Sequence, residues 1–199
     1  MNLEVNMITI LNMILKMEQG KRMILGIDGL SRSGKTTLVK NIEHQLQEMN
    51  KNVCIFHIDD YIVERKRRYN TGCEEWYEYY SLQWDVEWLK ENFFKKLKAS
   101  TELSLLKYET ISDTQRAQNV KLPDTCLIII EGVFLQRSEW RAFFDYMIYV
   151  DCSRDKRFKR ESAGTQNNLK KFSERYWKAE DYYVETVLPM ELANLVIIN

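Results

Sequence analysis

Met23-Ile24-Leu25-Gly26-Ile27 runs through Asp28 into Gly29-Leu30-Ser31-Arg32-Ser33-Gly34-Lys35-Thr36, after which Leu38, Ile42, Leu46 and Met49 recur at helical spacing. A short apolar run, a glycine-bearing loop and an amphipathic stretch in that order read as strand, loop and helix. The loop satisfies G-x-x-x-x-G-K-[ST]. Successive backbone N–H groups can wrap a phosphate only where side chains stand aside, which is why the glycines are needed, and the following helix turns its positive end to the same point. A chance glycine-rich turn would lack the flanking strand and helix. The expected nucleotide contacts are Gly29, Ser31, Ser33, Gly34, Lys35, Thr36 and Thr37, with Lys35 on the β- and γ-phosphates of ATP and the Thr36 hydroxyl on Mg²⁺.

Further apolar runs lie at Val53 to Ile58, Cys126 to Ile130, Tyr146 to Val150 and Leu195 to Ile198, alternating with helical patterns near 84–98, 153–162 and 169–186. Continuous rather than alternating apolar runs suit parallel strands buried on both faces. The expectation is an α/β P-loop three-layer sandwich on a five-stranded parallel sheet, with its ligand crevice at the carboxyl ends of the strands. At 199 residues and 45% apolar content the chain suits one domain spanning 1–199. Within it, 1–20 reads as an amphipathic N-terminal helix packed on the domain edge or against a second subunit, and 60–122 as an inserted helical substrate-binding segment. The region 154–175 reads as a short lid whose tip is the Gly- and Asn-containing break from Ser162 to Asn168.

Composition narrows the function classes. Lys plus Arg and Asp plus Glu balance at 29 each, so no polyanionic partner such as nucleic acid is indicated. Cys54, Cys73, Cys126 and Cys152 form no CxxC pair, and only His44 and His57 are available as imidazoles, which argues against zinc or dithiol chemistry. The N-terminal stretch is too polar for a membrane span and lacks the marks of a secretory signal, so a cytoplasmic location is expected.

Carboxylates at strand ends supply the remaining chemistry. Glu131-Gly132 closes the third apolar run, where a second acid is needed beside the magnesium. His57-Ile58-Asp59-Asp60-Tyr61 closes the second. Asp59 is the expected base for the acceptor hydroxyl and a further metal ligand, with Asp60 in reserve or as a helix cap. Arg157 and Arg160 share a face of a charged helix just before the lid, where closure would bring them onto the transferring phosphate. Lys35, Asp59, Arg157 and Arg160 are thus the catalytic candidates, and Thr36, Asp59 and Glu131 the metal candidates.

Gly26-Ile27-Asp28-Gly29, Asp59-Asp60-Tyr61, Glu131-Gly132-Val133-Phe134, the Arg157/Arg160 pair and Ala193-Asn194-Leu195-Val196-Ile197-Ile198 together resemble the uridine kinase group, which is related to pantothenate kinase and phosphoribulokinase. The likeness runs from about Met23 onward. It implies an ATP- and Mg²⁺-dependent kinase in which Lys35 and Thr36 serve ATP and magnesium, Asp59 activates the sugar 5′-hydroxyl, and Arg157 and Arg160 are the lid arginines. Tyr61, Tyr108 and Arg175, with Asp59, are the expected acceptor contacts. Tyr108 matches the tyrosine of the family's Tyr-Asp-Phe stretch but is followed by Glu109 and Thr110; Asp113 stands where the family has a base-contacting His, and Ser81-Leu82-Gln83-Trp84 replaces a His-Pro-Asp-Ala-Phe segment. The acceptor is accordingly expected to be uridine or a related nucleoside, with a pantothenate-like or sugar alcohol as the alternative. A regulatory module without transfer is a further alternative. A guanine switch is disfavoured because Val53 follows Asn50-Lys51-Asn52 where Asn-Lys-x-Asp would be required.

Overall fold

The computed structural model describes residues 3–16 and 20–199. After helix α1 (Leu3–Lys16), strand β1 (Met23–Asp28) runs to the phosphate loop and α2 (Lys35–Glu48) leaves it. Gly34 makes that junction possible. Its φ of 106° lies in the left-handed region, and a Cβ there would come within 2.3 Å of Asn199 Nδ2. Strand β2 (Val53–His57) then leads into the insert, which holds α3 (Arg65–Arg68), α4 (Glu75–Ser81), α5 (Val86–Asn92) and the strands β3 (Glu102–Glu109) and β4 (Thr114–Lys121).

The chain re-enters the sheet at β5 (Leu127–Gly132) and β6 (Tyr146–Asp151). Past the short helices α6 (Arg154–Lys159), α7 (Ala163–Gln166) and α8 (Leu169–Lys171), a π-helical turn at Phe172–Trp177 feeds α9 (Lys178–Val187). Leu188, at a φ of 54°, reverses the chain into α10 (Pro189–Leu192), where proline's fixed φ suits a first helical position. Strand β7 (Leu195–Ile198) completes the sheet.

The expected five parallel strands pair in the order β2-β5-β1-β6-β7. Because successive side chains point to opposite faces, each strand feeds two cores. Leu25, Ile27, Ile129 and Ile148 pack with Leu38, Val39, Ile42 and Leu46 of α2 and with Ile10 and Leu11 of α1. Ile24, Ile128, Ile130, Met147 and Tyr149 pack on the other face with Phe93, Phe94, Trp140 and Tyr183. The register sets His57 beside Glu131 and Ile27 on its other side, so that the acid ends of β1, β2 and β5 share one edge. Gly132 lets that edge close up, since a Cβ there would lie 2.2 Å from Ile58 Cγ2.

The insert is only partly helical, contrary to the sequence expectation: β3 and β4 form an antiparallel hairpin running from Glu102↔Lys121 to Glu109↔Thr114. Leu103, Leu105 and Tyr108 are buried on β3, whereas most of β4 is exposed. A polar strand held by ladder hydrogen bonds rather than burial leaves little hydrophobic period to read. No described helix is long and apolar enough to cross a membrane. The stretch expected as a lid folds into α6, α7 and α8, with Phe158 packed on Phe172 and Trp177 at 5.1 and 5.6 Å between ring centres.

Candidate active site

A cleft of about 930 Å³ opens at the carboxyl edge of the sheet, and Lys35, Thr36, Asp59, Glu131, Arg157 and Arg160 all line it. The phosphate loop is held through its carbonyls, once from within and three times from outside. Leu30 O accepts from Lys35 Nζ at 2.9 Å, Ser31 O from Arg157 Nη1 at 3.2 Å, Arg32 O from Arg160 Nη1 at 2.9 Å and Ser33 O from Asn199 Nδ2 at 2.6 Å. In a trans peptide each N–H points away from the carbonyl it follows. Fixing the carbonyls of Ser31 and Ser33 therefore turns the N–H groups of Arg32 and Gly34 the other way, as an anion-binding loop requires. At the base of the loop, buried Asp28 accepts from Gln136 Nε2 at 3.0 Å, Leu135 N at 3.3 Å, the Tyr183 hydroxyl and the Gly29 N–H.

Glu131 is set by the register. Its Oε1 accepts from Thr36 Oγ1 at 3.1 Å and lies 2.6 Å from His57 Nδ1. Burial opposes its charge, but the His57 hydrogen bond and the attraction of Lys35 outweigh that and hold its carboxyl below the usual range. The same bond draws the His57 imidazole upward. Burial lowers the Lys35 ammonium against the pull of Glu131 and Asp59. Asp59 meets water inside the cleft yet is crowded by protein, and this loss of hydration raises its carboxyl despite Lys35, with Glu131 and Asp60 adding to the rise. Among the described residues no three His, Cys, Asp or Glu side chains form a metal cage. Mg²⁺ at a phosphate loop needs only a hydroxyl, one or two carboxylates and phosphate oxygens, and the oxygen donors Thr36, Asp59 and Glu131 fit that demand.

The other anticipated residues lie elsewhere in the architecture. Asp60 points away to Lys107 of β3, 3.1 Å distant, which leaves Asp59 as the acid of that pair on the cleft. Arg157 is not poised on an open lid. It is 5% exposed, bonded twice to Glu180 at 2.8 and 3.0 Å, and bonded through Nε to Cys152 O at 3.0 Å. Arg160 remains at the surface of the loop. Tyr61 is buried against Phe93 at 5.6 Å, and Tyr108 donates to Asp113 Oδ1 at 2.9 Å, closing the hairpin; neither lines the cleft. Arg175 is fully buried, bonded to Glu78 Oε2 at 3.0 Å and Arg68 O at 2.9 Å over the Tyr69 ring, and it too is absent from the cleft wall.

His57, Tyr79, Gln83, Tyr176 and Glu180 belong to this neighbourhood without having been singled out by sequence. Glu180 also accepts from the Ser31 N–H, so that one ion pair grips both main-chain polar groups of Ser31. Two of them carried a readable signal: His57 at the end of an apolar run, and Gln83 within Ser81-Leu82-Gln83-Trp84, the segment that departs from the family pattern.

The model of the Phosphoribulokinase / Uridine kinase family matches residues 24–163. A solved structure described as a possible uridine kinase from Bacillus stearothermophilus is 49% identical, superposes with a TM-score of 0.87, and is covered over 100% of its length by 99% of this chain. A uridine kinase of Borrelia duttonii is 27% identical over 186 residues, 87% of this chain and 85% of that protein. One from Staphylococcus aureus is 31% identical over 139 residues, 69% of this chain and 65% of that protein.

Proposed function

Since the chain belongs to the phosphoribulokinase/uridine kinase family and is thereby a phosphotransferase with a hydroxyl acceptor, we propose that it moves the γ-phosphate of ATP to uridine or a related nucleoside. The observation that carries this reading is the meeting of Lys35, Thr36, Asp59 and Glu131 on one cleft, in a chain nearly half identical to a possible uridine kinase over its whole length.

Each residue has a part in the transfer. The N–H groups of the phosphate loop and the end of α2 receive the phosphates, and Lys35 exchanges its bond to Leu30 O for the β- and γ-phosphate oxygens. Thr36 and Glu131, with Asp59, would hold Mg²⁺, which supplies charge neutralisation at the phosphates. His57 fixes the Glu131 carboxylate. Asp59 accepts the proton of the acceptor hydroxyl as that oxygen bonds to the γ-phosphorus, while the bond from the γ-phosphorus to the β,γ-bridging oxygen breaks and ADP leaves. Arg160 lies at the loop surface, within reach of a bound phosphate. Arg157 acts through Ser31 by holding the loop in shape.

An ATP-consumption assay across nucleosides, neutral sugars and pantothenate-like acids tests this. Turnover is expected with a nucleoside and is expected to vanish in Lys35→Ala with the fold retained. ATP turnover unchanged in Lys35→Ala would overturn the loop assignment, and a sugar or acid accepted above every nucleoside would overturn the acceptor.

A further inference from the structure

Away from the phosphate loop, the cleft wall is built from Asp59, Ile62, Tyr79, Gln83, Val133 and Tyr176. Tyr79 meets Tyr176 edge to face at 4.9 Å and leans on Phe134 at 5.4 Å, which fixes its ring. Gln83 follows the last turn of α4. Its main chain is pinned, the carbonyl accepting from Val63 N at 3.0 Å, and the next residue is anchored by Trp84 Nε1 to Ile58 O at 2.9 Å.

The Gln83 side chain is different. It lines the cleft at 8% exposure, yet its amide oxygen has no hydrogen-bond partner. Buried acceptors are rarely left so, because an unmade hydrogen bond carries the full loss of hydration. Among the described residues, the other buried side-chain atoms without partners belong to Ser33, Arg137 and Arg175, none of which lines the cleft. Gln83 is therefore the orphan that a bound molecule can satisfy.

Charge narrows the molecule further. The cleft's cations are Arg32, Lys35, Arg157 and Arg160, and every one belongs to the phosphate loop or is bonded to it. Arg68 and Arg175 of the neighbouring elements are buried and committed to main-chain carbonyls and Glu78. Glu161 and Glu180 of the cleft are paired with Arg32 and Arg157, so the carboxylates left to face an acceptor are those of Asp59 and Glu131. An acid or phosphorylated acceptor would meet like charge there with no cation of its own to pair with.

We propose that Gln83 selects the acceptor, its amide oxygen taking a hydrogen bond from a hydroxyl or ring N–H of an uncharged molecule that lies against Tyr79. The inference deepens the kinase reading above and rests on it. A polar group built to receive one donor rejects an analogue lacking it, because the site is then left unpaired.

The test compares the wild-type chain with Gln83→Met, which keeps the length of the side chain and removes both polar atoms. Steady-state rates with ATP are measured for nucleosides, neutral sugars, pantothenate and glycerate, then for the deoxy and N-methyl analogues of the best neutral acceptor. In the variant, kcat/KM for that acceptor is expected to fall about tenfold, with the KM for ATP and the melting temperature unchanged. One analogue should be at least about tenfold poorer than its parent in the wild type and no poorer than its parent in the variant. Gln83→Leu replaces the methionine variant if the latter melts early. An identical order of preference in both proteins, or an unchanged kcat/KM, overturns the role of Gln83. Preference for pantothenate or glycerate overturns the uncharged acceptor while the kinase reading stands. Absence of acceptor-dependent turnover with every compound overturns both.

Discussion

Glu180→Ala is expected to weaken the fold severely and the phosphate loop with it. Glu180 and Arg157 are 2% and 5% exposed, and the two bonds between them, at 2.8 and 3.0 Å, form the bidentate fork typical of strong pairs. Removing the carboxylate leaves a guanidinium that cannot lose its proton in a place closed to water, a loss of about 3–5 kcal/mol against a total stability of roughly 5–15 kcal/mol. Arg157→Met should be milder, because burial already raises the Glu180 carboxyl and the freed acid can escape its charge by taking a proton. The escape has a pH signature. A carboxyl that titrates higher in the fold than in the open chain loses stability as pH rises above its unfolded value, 4.5 here, so the deficit of Arg157→Met should grow from that pH upward. The double variant Arg157→Met, Glu180→Leu should recover most of the stability, since well-packed apolar residues can replace a buried pair. It should not recover the loop: the N–H and carbonyl of Ser31 both lose their partners, and the KM for ATP should stay roughly tenfold high. Urea unfolding at constant m-value, with KM measured separately for ATP and acceptor, reads both effects. Single variants within about 1 kcal/mol of wild type, or losses that add without coupling, would refute the reasoning.

The choice between adjacent acids is separable by kinetics: Asp59→Asn should lower phosphoryl transfer by about 10²–10⁴-fold, far more than it weakens nucleotide binding, whereas Asp60→Asn should lose only its exposed bridge to Lys107. A larger rate loss in Asp60→Asn would reverse the assignment. At the insert, burial opposes the Glu78 charge, but hydrogen bonds from Thr71 and the pairing with Arg175 hold its carboxyl below the ordinary 4.5. An acid depressed in the fold stabilises it above the unfolded pKa and loses that contribution as pH falls through the folded one, so the wild type should weaken below about pH 4.5 and Glu78→Gln should show a flatter acid limb in thermal melts. Parallel limbs would mean that Glu78 does not couple folding to protons.

By itself the sequence determined the phosphate loop, its flanking strand and helix, all five parallel strands, and the placement of Asp59 and Glu131 at their carboxyl ends. These are legible because each is a local pattern: a buried parallel strand must be apolar throughout, and a phosphate loop needs glycine and lysine at fixed offsets along one short stretch of chain. Which arginine faces the cleft was decided only in three dimensions. Arg157, Arg160 and Arg175 are alike in sequence, but Arg157 found Glu180 23 residues away and Arg175 found Glu78 97 residues away, and burial then fixed both as struts. Tyr61 and Tyr108 went to the core and the hairpin for the same reason, a large ring gaining more from packing than from the cleft. The hairpin itself escaped because β4 is polar on both faces and its register comes from its partner strand. His57 beside Glu131 is a matter of register between β2 and β5, and the unpaired oxygen of Gln83 exists only where α4, the β2 edge and the π-helical turn close around one space. Periodicity reports which way a side chain faces relative to its own backbone; which group it meets there is set by elements distant in the chain, and that is where the acceptor end of this site was made.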